Sequence, residues 1–333
     1  MSILITGAAG FIGSNFAHLI KQKTMDQIIA LDALTYAGNR ENIKSIEDDQ
    51  LIFEQANICN EERLKELFAQ YNIKKVIHFA AESHVDRSIL SSDPFIQTNI
   101  VGTQRLLDVS REFNIDRFVH VSTDEVYGTL GPNDPAFTEL HQIQPNSPYA
   151  ASKASSDLLV RSYVETFNFP ALITRCSNNY GPYQFPEKLI PLMIHNATSG
   201  KSLPVYGDGL NIRDWVHVSD HCEAVYIVLE KGQVGEFYNI GGECELTNII
   251  IVKQIIDAVG ASSDQIKYVK DRLGHDFRYA MNIDKIKNDL GWSPKVHFND
   301  GLKSTIDWYK TNNEWLSRVV SGEYQTYYKE QYQ

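Results

Sequence analysis

Short hydrophobic runs recur through the first half of the chain, each closed by a polar or glycine-rich break and followed by a longer stretch with helical spacing. Ser2-Ile-Leu-Ile-Thr6, Gln27-Ile-Ile-Ala-Leu31, Leu51-Ile-Phe53, Lys75-Val-Ile-His-Phe79 and Phe118-Val-His-Val121 are too short for independent helices and rich in β-branched residues, so they read as buried strands. Between them, Ser14 to Ile20, Glu61 to Gln70 and Thr98 to Phe113 carry apolar residues at helical spacing, and another amphipathic helix opens at Tyr149 and runs to about Asn168. Strand alternating with helix, without a repeat period or a low-complexity linker, predicts an α/β protein with a doubly wound, mostly parallel sheet and helices on both faces.

The pattern loosens from about Cys176, where Pro182, Pro186, Pro191 and Pro204 punctuate shorter elements. This predicts residues 1–175 as a cofactor-binding domain that also carries the chemistry. Residues 176–322 are expected to form mainly a smaller mixed α/β substrate lobe, with the chain crossing between the two. Asn282 to Leu290 and Gly301 to Tyr309 read as two closing helices, and the polar, tyrosine-rich residues 323–333 are left unassigned.

The breaks carry the candidate chemistry. Gly7-Ala-Ala-Gly10-Phe-Ile-Gly13 joins a strand to a helix, where glycines let the backbone approach a pyrophosphate and the helix N-terminus offers unpaired N–H groups. Asp32 ends the next strand, 19 residues beyond Gly13, near the spacing of an acid that binds an adenosine ribose. A carboxylate there accepts from a 2′-hydroxyl and repels a 2′-phosphate, which favours NAD over NADP. Phe118-Val-His-Val-Ser-Thr-Asp-Glu-Val-Tyr-Gly128 stops abruptly at Thr123, Asp124 and Glu125, placing a hydroxyl and two acids where a parallel sheet meets its ligand. Acids before a turn also serve simply as caps. Ala80 and Ala81 permit close cofactor approach, while Ser83 reads either as a sugar or phosphate contact or as a helix cap. Tyr149 and Lys153, four apart on one helix face, can address one ligand, and the ammonium would favour the phenolate. Tyr-x-x-x-Lys alone is a weak signal; the glycine turn and the Thr123 strand end give it context.

Composition narrows the class. With 43% hydrophobic and 22% charged residues among 333, the chain has the make-up of a soluble globular protein. A formal charge of −11 argues against non-specific nucleic-acid or anionic-membrane binding. Cys59, Cys176, Cys222 and Cys244 are widely separated without a C-x-x-C, so neither a zinc knuckle nor a disulfide framework is indicated, and no metal site is expected. No run approaches about 18 apolar residues, and the expectation is a cytoplasmic protein.

These residues resemble the extended short-chain dehydrogenase/reductases that act on nucleotide sugars, with the 4,6-dehydratases among them the nearest match. The marks are Gly7-x-x-Gly10-x-x-Gly13, Asp32, Thr123-Asp-Glu-Val-Tyr-Gly128 and Tyr149-x-x-x-Lys153, with Ala80 to Ser88, Asn178-Asn-Tyr-Gly-Pro182 and Glu187-Lys-Leu-Ile-Pro191. Pro204-Val-Tyr206, Arg213-Asp-Trp215 and Arg272-Leu-Gly-His-Asp276 extend the likeness to about Lys310. Related epimerases lack the Asp-Glu pair. Asn57 stands where the family usually has Asp, and Leu273 where it usually has Pro.

The resemblance implies a Rossmann-like fold, NAD as cofactor, dTDP-glucose as substrate, a homodimer pairing through residues 98–113 and 152–168, and no nucleic-acid or membrane partner. It assigns Gly7, Gly10, Phe11, Ile12, Gly13, Asp32, Asn57, Ile58, Ala80, Ala81, Thr98, Tyr149, Lys153 and Asn179 to the cofactor. To the substrate it assigns Ser83, Thr123, Asn178, Lys188, Leu189, Pro204, Tyr206, Arg213, Asn248, Arg272 and His275. Tyr149 would take the proton from the glucose 4-hydroxyl, assisted by Lys153 and Thr123, while Glu125 and Asp124 would carry the elimination of water across C5 and C6. A 4-epimerase, a dehydratase for another nucleotide sugar and a non-catalytic NAD-sensing protein remain the alternatives, since the thymine base rests on the resemblance alone.

Overall fold

Five of the short hydrophobic runs become strands of one sheet. A computed structural model of the chain describes residues 1–320; the tyrosine-rich end lies outside the described residues. The strands are β1 (Ser2–Thr6), β2 (Gln27–Asp32), β3 (Leu51–Gln55), β4 (Ile73–His78), β5 (Arg117–Thr123) and β6 (Ala171–Cys176). The second half adds β7 (Asn178–Tyr180), β8 (Leu203–Tyr206), β9 (Ile212–His217), β10 (Phe237–Ile240), β11 (Glu245–Thr247) and β12 (Ile266–Val269). The main sheet runs β10-β6-β5-β4-β1-β2-β3, with every neighbouring pair parallel. Strand order reverses between β1 and β4, which opens a crevice beyond their carboxyl ends.

Parallel strands need crossover helices, so both faces of the sheet are covered and its strands are largely buried. Successive residues point to opposite faces, and the two cores divide accordingly. Ile3, Ile5, Ile28 and Ala30 pack on one face with Phe16 and Ile20; Leu4, Ile29 and Leu31 pack on the other with Leu64, Leu67 and Phe118. Truncating one such residue to Ala costs about 2–5 kcal/mol. A separate core of Tyr180, Leu192, Trp215, Ile251, Leu302 and Tyr309 holds the second-half elements together.

The chain returns to the main sheet after leaving it. β10 hydrogen-bonds along β6, and the helix Val218–Lys231 packs against the helix Phe11–Lys23. The smaller sheets are β11-β9-β7 and β12-β8. Asp284–Leu290 and Phe298–Thr311 are the two closing helices, and a further helix follows at Asn313–Val320.

Two helices position the site. Pro148–Phe167 starts where Ser147 accepts from the Ala150 amide at 3.1 Å, with Pro148 at the first position, and ends at Asn168 in the left-handed region. The helix expected over Thr98 to Phe113 is a wider π-helical stretch, Ile96–Gly102, continuing as an α-helix over Thr103–Glu112. Thr103 Oγ1 donates to the Asn99 carbonyl at 2.7 Å, a side-chain bond that competes with the backbone ladder there. Asn99 in turn fixes the loop after β4, accepting from the Glu82 amide at 2.9 Å and donating to its carbonyl at 3.0 Å.

Candidate active site

The glycine turn is shaped by close approach. Gly7 sits at φ +70°, and a Cβ there would lie 2.7 Å from the Ala80 amide nitrogen; one on Gly13 would lie 2.1 Å from the Gly7 carbonyl. Neither position tolerates a side chain, and the surface between the turn and the Ala80-Ala81 segment stays open to a ligand. Asp32 lines the same cavity at the end of β2. Its carboxylate accepts from the amides of Ala9 at 2.9 Å and Leu34 at 2.8 Å, which oppose the upward push that burial gives its pKa.

All fourteen residues expected at the cofactor line one cavity running from Asp32 across Asn57, Ile58 and Thr98 to Tyr149, Lys153 and Asn179. Asn179 Oδ1 is buried there without a hydrogen-bond partner, an acceptor suited to a carboxamide N–H. The cradle therefore fits a dinucleotide ending in a nicotinamide.

At the other end β5 stops at Thr123, and Asp124–Tyr127 turns into a single 3-10 stretch. Thr123 Oγ1 accepts from the Glu125 amide at 3.3 Å and lies 3.2 Å from Asp124 Oδ1. In a continued strand the two acids would point to opposite faces; after this turn Asp124 and Glu125 line the same cavity as Thr123 and Tyr149. Asp124 is pushed well above the usual carboxylate range by burial and then by Glu125. Glu125 is also raised by burial, but Arg272, Lys188 and Arg213 pull it back.

Tyr149 and Lys153 occupy the first turns of Pro148–Phe167, with the Tyr149 amide donating to Ser88 Oγ at 3.1 Å. The phenol departs from the expectation drawn from Lys153. It is held well above its ordinary value by burial and then by the Glu125 carboxylate, with the Thr123 hydroxyl opposing them. Lys153 Nζ instead donates to the Val121 carbonyl at 2.9 Å, and burial lowers its pKa to about 8.

The residues expected at the substrate fall into two sets. Ser83, Thr123, Asn178, Lys188 and Leu189 line the cavity, and Lys188 Nζ donates to the Ser83 carbonyl at 2.8 Å. Pro204, Tyr206, Arg213, Asn248, Arg272 and His275 lie outside its walls, Arg213 on β9, whose Trp215 does line it. Tyr206 donates to Asp86 Oδ2 at 3.0 Å, and Arg272 Nη1 stands 3.7 Å from Asp86 Oδ1. The rings of Tyr206 and His275 meet edge-on at 6.1 Å. The Arg213 guanidinium donates from Nη1 to the Ile212 carbonyl at 2.7 Å and from Nη2 to the Asp276 carbonyl at 2.9 Å, and it lies 4.4 Å from the Tyr279 ring. Asn248 joins this network through its amide on the Asn211 carbonyl at 3.0 Å, Asn211 in turn donating to the Asp276 carbonyl. Sequence reasoning missed Tyr36, Glu82, Gln184 and Glu187 on the cavity wall. Glu187 stands inside a quoted motif, and its burial, which raises the carboxyl to about 7, is invisible in the sequence.

A dinucleotide cradle at the strand-order reversal, with a tyrosine and a lysine one helical turn apart, defines the extended short-chain dehydrogenase/reductases. Residues 4–305 match the family model described as GDP-mannose 4,6 dehydratase. The dTDP-glucose 4,6-dehydratase of Neisseria meningitidis serogroup B is 51% identical over 97% of this chain and 97% of that protein. The crystal structure of dTDP-glucose 4,6-dehydratase from Bacillus anthracis in complex with NAD superposes with a TM-score of 0.90 at 50% identity, covering 96% of this chain and 99% of that one. The Streptomyces venezuelae dTDP-glucose 4,6-dehydratase with NAD and TYD bound gives 0.93 at 46% identity, over 96% and 100%. The chain belongs to the dTDP-glucose 4,6-dehydratase family.

Proposed function

We propose that the protein is an NAD-dependent hydro-lyase that converts dTDP-glucose to dTDP-4-keto-6-deoxyglucose and regenerates its cofactor in each turnover. The observation that carries this reading is the turn at Thr123, which brings two carboxyl groups of unlike proton affinity into the cavity of Tyr149. A dehydrogenase that only moved hydride would gain nothing from two acids beside an anionic substrate.

What bound NAD supplies is a hydride acceptor for C4, a hydride donor to C6 and, when oxidised, a positive ring beside the phenol. Gly7 to Gly13, Asp32, Asn57 and Asn179 would hold it. Tyr149 takes the proton of the 4-hydroxyl, and Thr123, within hydrogen-bonding reach of the phenol, bonds the same oxygen. The 4-ketone acidifies C5–H. Glu125, kept closer to the carboxylate form by three nearby cations, removes that proton and later returns it to C5. Asp124, kept protonated by burial and its neighbour, donates to the departing C6 hydroxyl. Lys188 and Arg272 supply the positive charge that an acidic chain needs beside a diphosphate.

Homodimerisation through residues 98–113 and 152–168 is supported by exposed Leu158 and Phe167 on the second of these segments. Four unpaired cysteines suit a reducing cytoplasm, and among the described residues no helix is long and apolar enough to cross a membrane. Purified protein given dTDP-glucose without an external hydride donor should release water and a 4-keto-6-deoxy product. Inversion at C4 without loss of water would replace this reading with a 4-epimerase.

A further inference from the structure

One helical turn past Lys153, a set of polar side chains is sealed between the helix Pro148–Phe167 and the sheet. Asp157, Ser156, His120 and Arg175 are each 3% exposed or less. Arg175 Nε donates to Asp157 Oδ2 at 2.9 Å and Nη1 to the Tyr127 hydroxyl at 2.9 Å, which donates to Asn239 Oδ1 at 2.8 Å. His120 Nε2 lies 3.1 Å from Ser156 Oγ, 3.4 Å from Asp157 Oδ1 and 3.5 Å from Lys153 Nζ. Ser156 commits its hydroxyl hydrogen to the Lys153 carbonyl at 2.8 Å, so it can only accept from His120. That places the proton on Nε2 and makes the ring a donor toward Ser156 and Asp157. The Lys153 ammonium, a donor itself, then finds its acceptor in the Val121 carbonyl.

The buried charges are two cations, Lys153 and Arg175, and one anion, Asp157. A guanidinium keeps its proton in any surroundings, whereas a buried ammonium sheds its own unless an anion stands near. Resting on the dehydratase reading above, we propose that Asp157, gripped by Arg175 and bridged by His120, is a positioning residue that keeps Lys153 in place and charged beside Tyr149. The titratable groups around Lys153 are Asp157 on its own helix, with Tyr149 on the same cavity wall, His120 on β5, Cys176 on β6, and His78 on β4, whose ring stands 5.2 Å from that of His120; Arg175 reaches Lys153 only through Asp157. Burial lowers Lys153, and the opposing influences are Asp157 first and Cys176 second. Burial pushes Asp157 up, yet His120 and Arg175 hold it below the ordinary carboxylate value.

The test labels lysine Cε with carbon-13 in the NAD-loaded enzyme and identifies the Lys153 resonance by its loss in Lys153→Met. Asp157→Leu/Arg175→Met replaces the ion pair with apolar side chains, an exchange that buried pairs commonly tolerate; Asp157→Asn is the second variant. Both should lower the Lys153 titration midpoint by at least one pH unit. Both should also cut kcat at neutral pH about tenfold, with KM for dTDP-glucose changed less than twofold, and Asp157→Glu should restore both readouts. A midpoint that stays at the wild-type value in either folded variant, or falls as far in Asp157→Glu as in Asp157→Asn, overturns the proposal. The midpoint is read without substrate, so a wild-type protein inactive on dTDP-glucose would refute the dehydratase reading and leave this test intact.

Discussion

The Thr123 hydroxyl accepts a hydrogen bond from the Glu125 amide at 3.3 Å. This bond caps a four-residue 3-10 stretch, ends β5 and turns the next two side chains onto the same cavity wall. Burial raises both Asp124 and Glu125, yet Arg272, Lys188 and Arg213 pull Glu125 back, whereas of these cations only Arg213 opposes the rise that Glu125 and Asp214 add at Asp124. One strand end thus yields a proton donor and a proton acceptor.

That asymmetry divides the labour. Tyr149→Phe should lose C4 oxidation by about 10²–10⁴-fold. Asp124→Asn and Glu125→Gln should still reduce the bound cofactor on mixing with dTDP-glucose but slow water release by a similar factor. Rapid-mixing absorbance of NADH against product formation separates the two classes, and equal loss of C4 oxidation in all three would contradict the assignment.

Asp32 tests the adenosine end. Its carboxylate is organised by the Ala9 and Leu34 amides, so Asp32→Ala removes both an acceptor for a ribose hydroxyl and a repulsion against a 2′-phosphate. Titration of cofactor-stripped protein should show NAD binding weakened about tenfold or more and the preference for NAD over NADP reduced. Unchanged discrimination would place the ribose elsewhere.

Arg272 acts on Glu125 through space. It is the largest of the influences holding that carboxyl down against burial, so Arg272→Ala should raise the Glu125 pKa. A base with a higher pKa is protonated to a higher pH, and the acid limb of the kcat profile should move in the alkaline direction. KM for dTDP-glucose should rise about tenfold or more from the lost guanidinium.

Stability depends on pH through His221. Both its ring nitrogens are buried without a hydrogen-bond partner, and burial lowers its pKa from 6.5 to about 3. Between those values the unfolded chain carries the proton and the folded chain does not, so this group's contribution to stability falls as pH drops from 6.5 toward 3, by up to about 1.4 kcal/mol per unit. His221→Leu should flatten the pH dependence of unfolding in urea by that amount relative to wild type. Parallel curves for the two proteins would show that the folded state already carries the proton.

Much of the fold was legible because local pattern and global architecture agree. The run Ser2 to Thr6, the glycines after it and Asp32 each needed only neighbours in sequence to be read. The misreadings come where distant segments decide. The helix from Thr98 widens at Ile96–Gly102, where Asn99 also holds the Glu82 loop. The sequence shows the charge of Arg213 but not its packing against the Tyr279 ring and the Asp276 carbonyl, more than sixty positions away. Glu187 passed unnoticed because the sequence shows its charge and not its burial.

The chain's own order of residues determined which groups stand at the ends of β1, β2, β4 and β5, since strand periodicity and glycine turns act over a few positions. Only the tertiary structure decided which of them meet and in what state of protonation. Proton affinity depends on how much water is excluded and which charges lie within a few ångströms, and those distances are set by packing. Lys153 shows the difference: its place four residues after Tyr149 is a matter of sequence, while its link to the Val121 carbonyl and its pKa of about 8 are matters of burial.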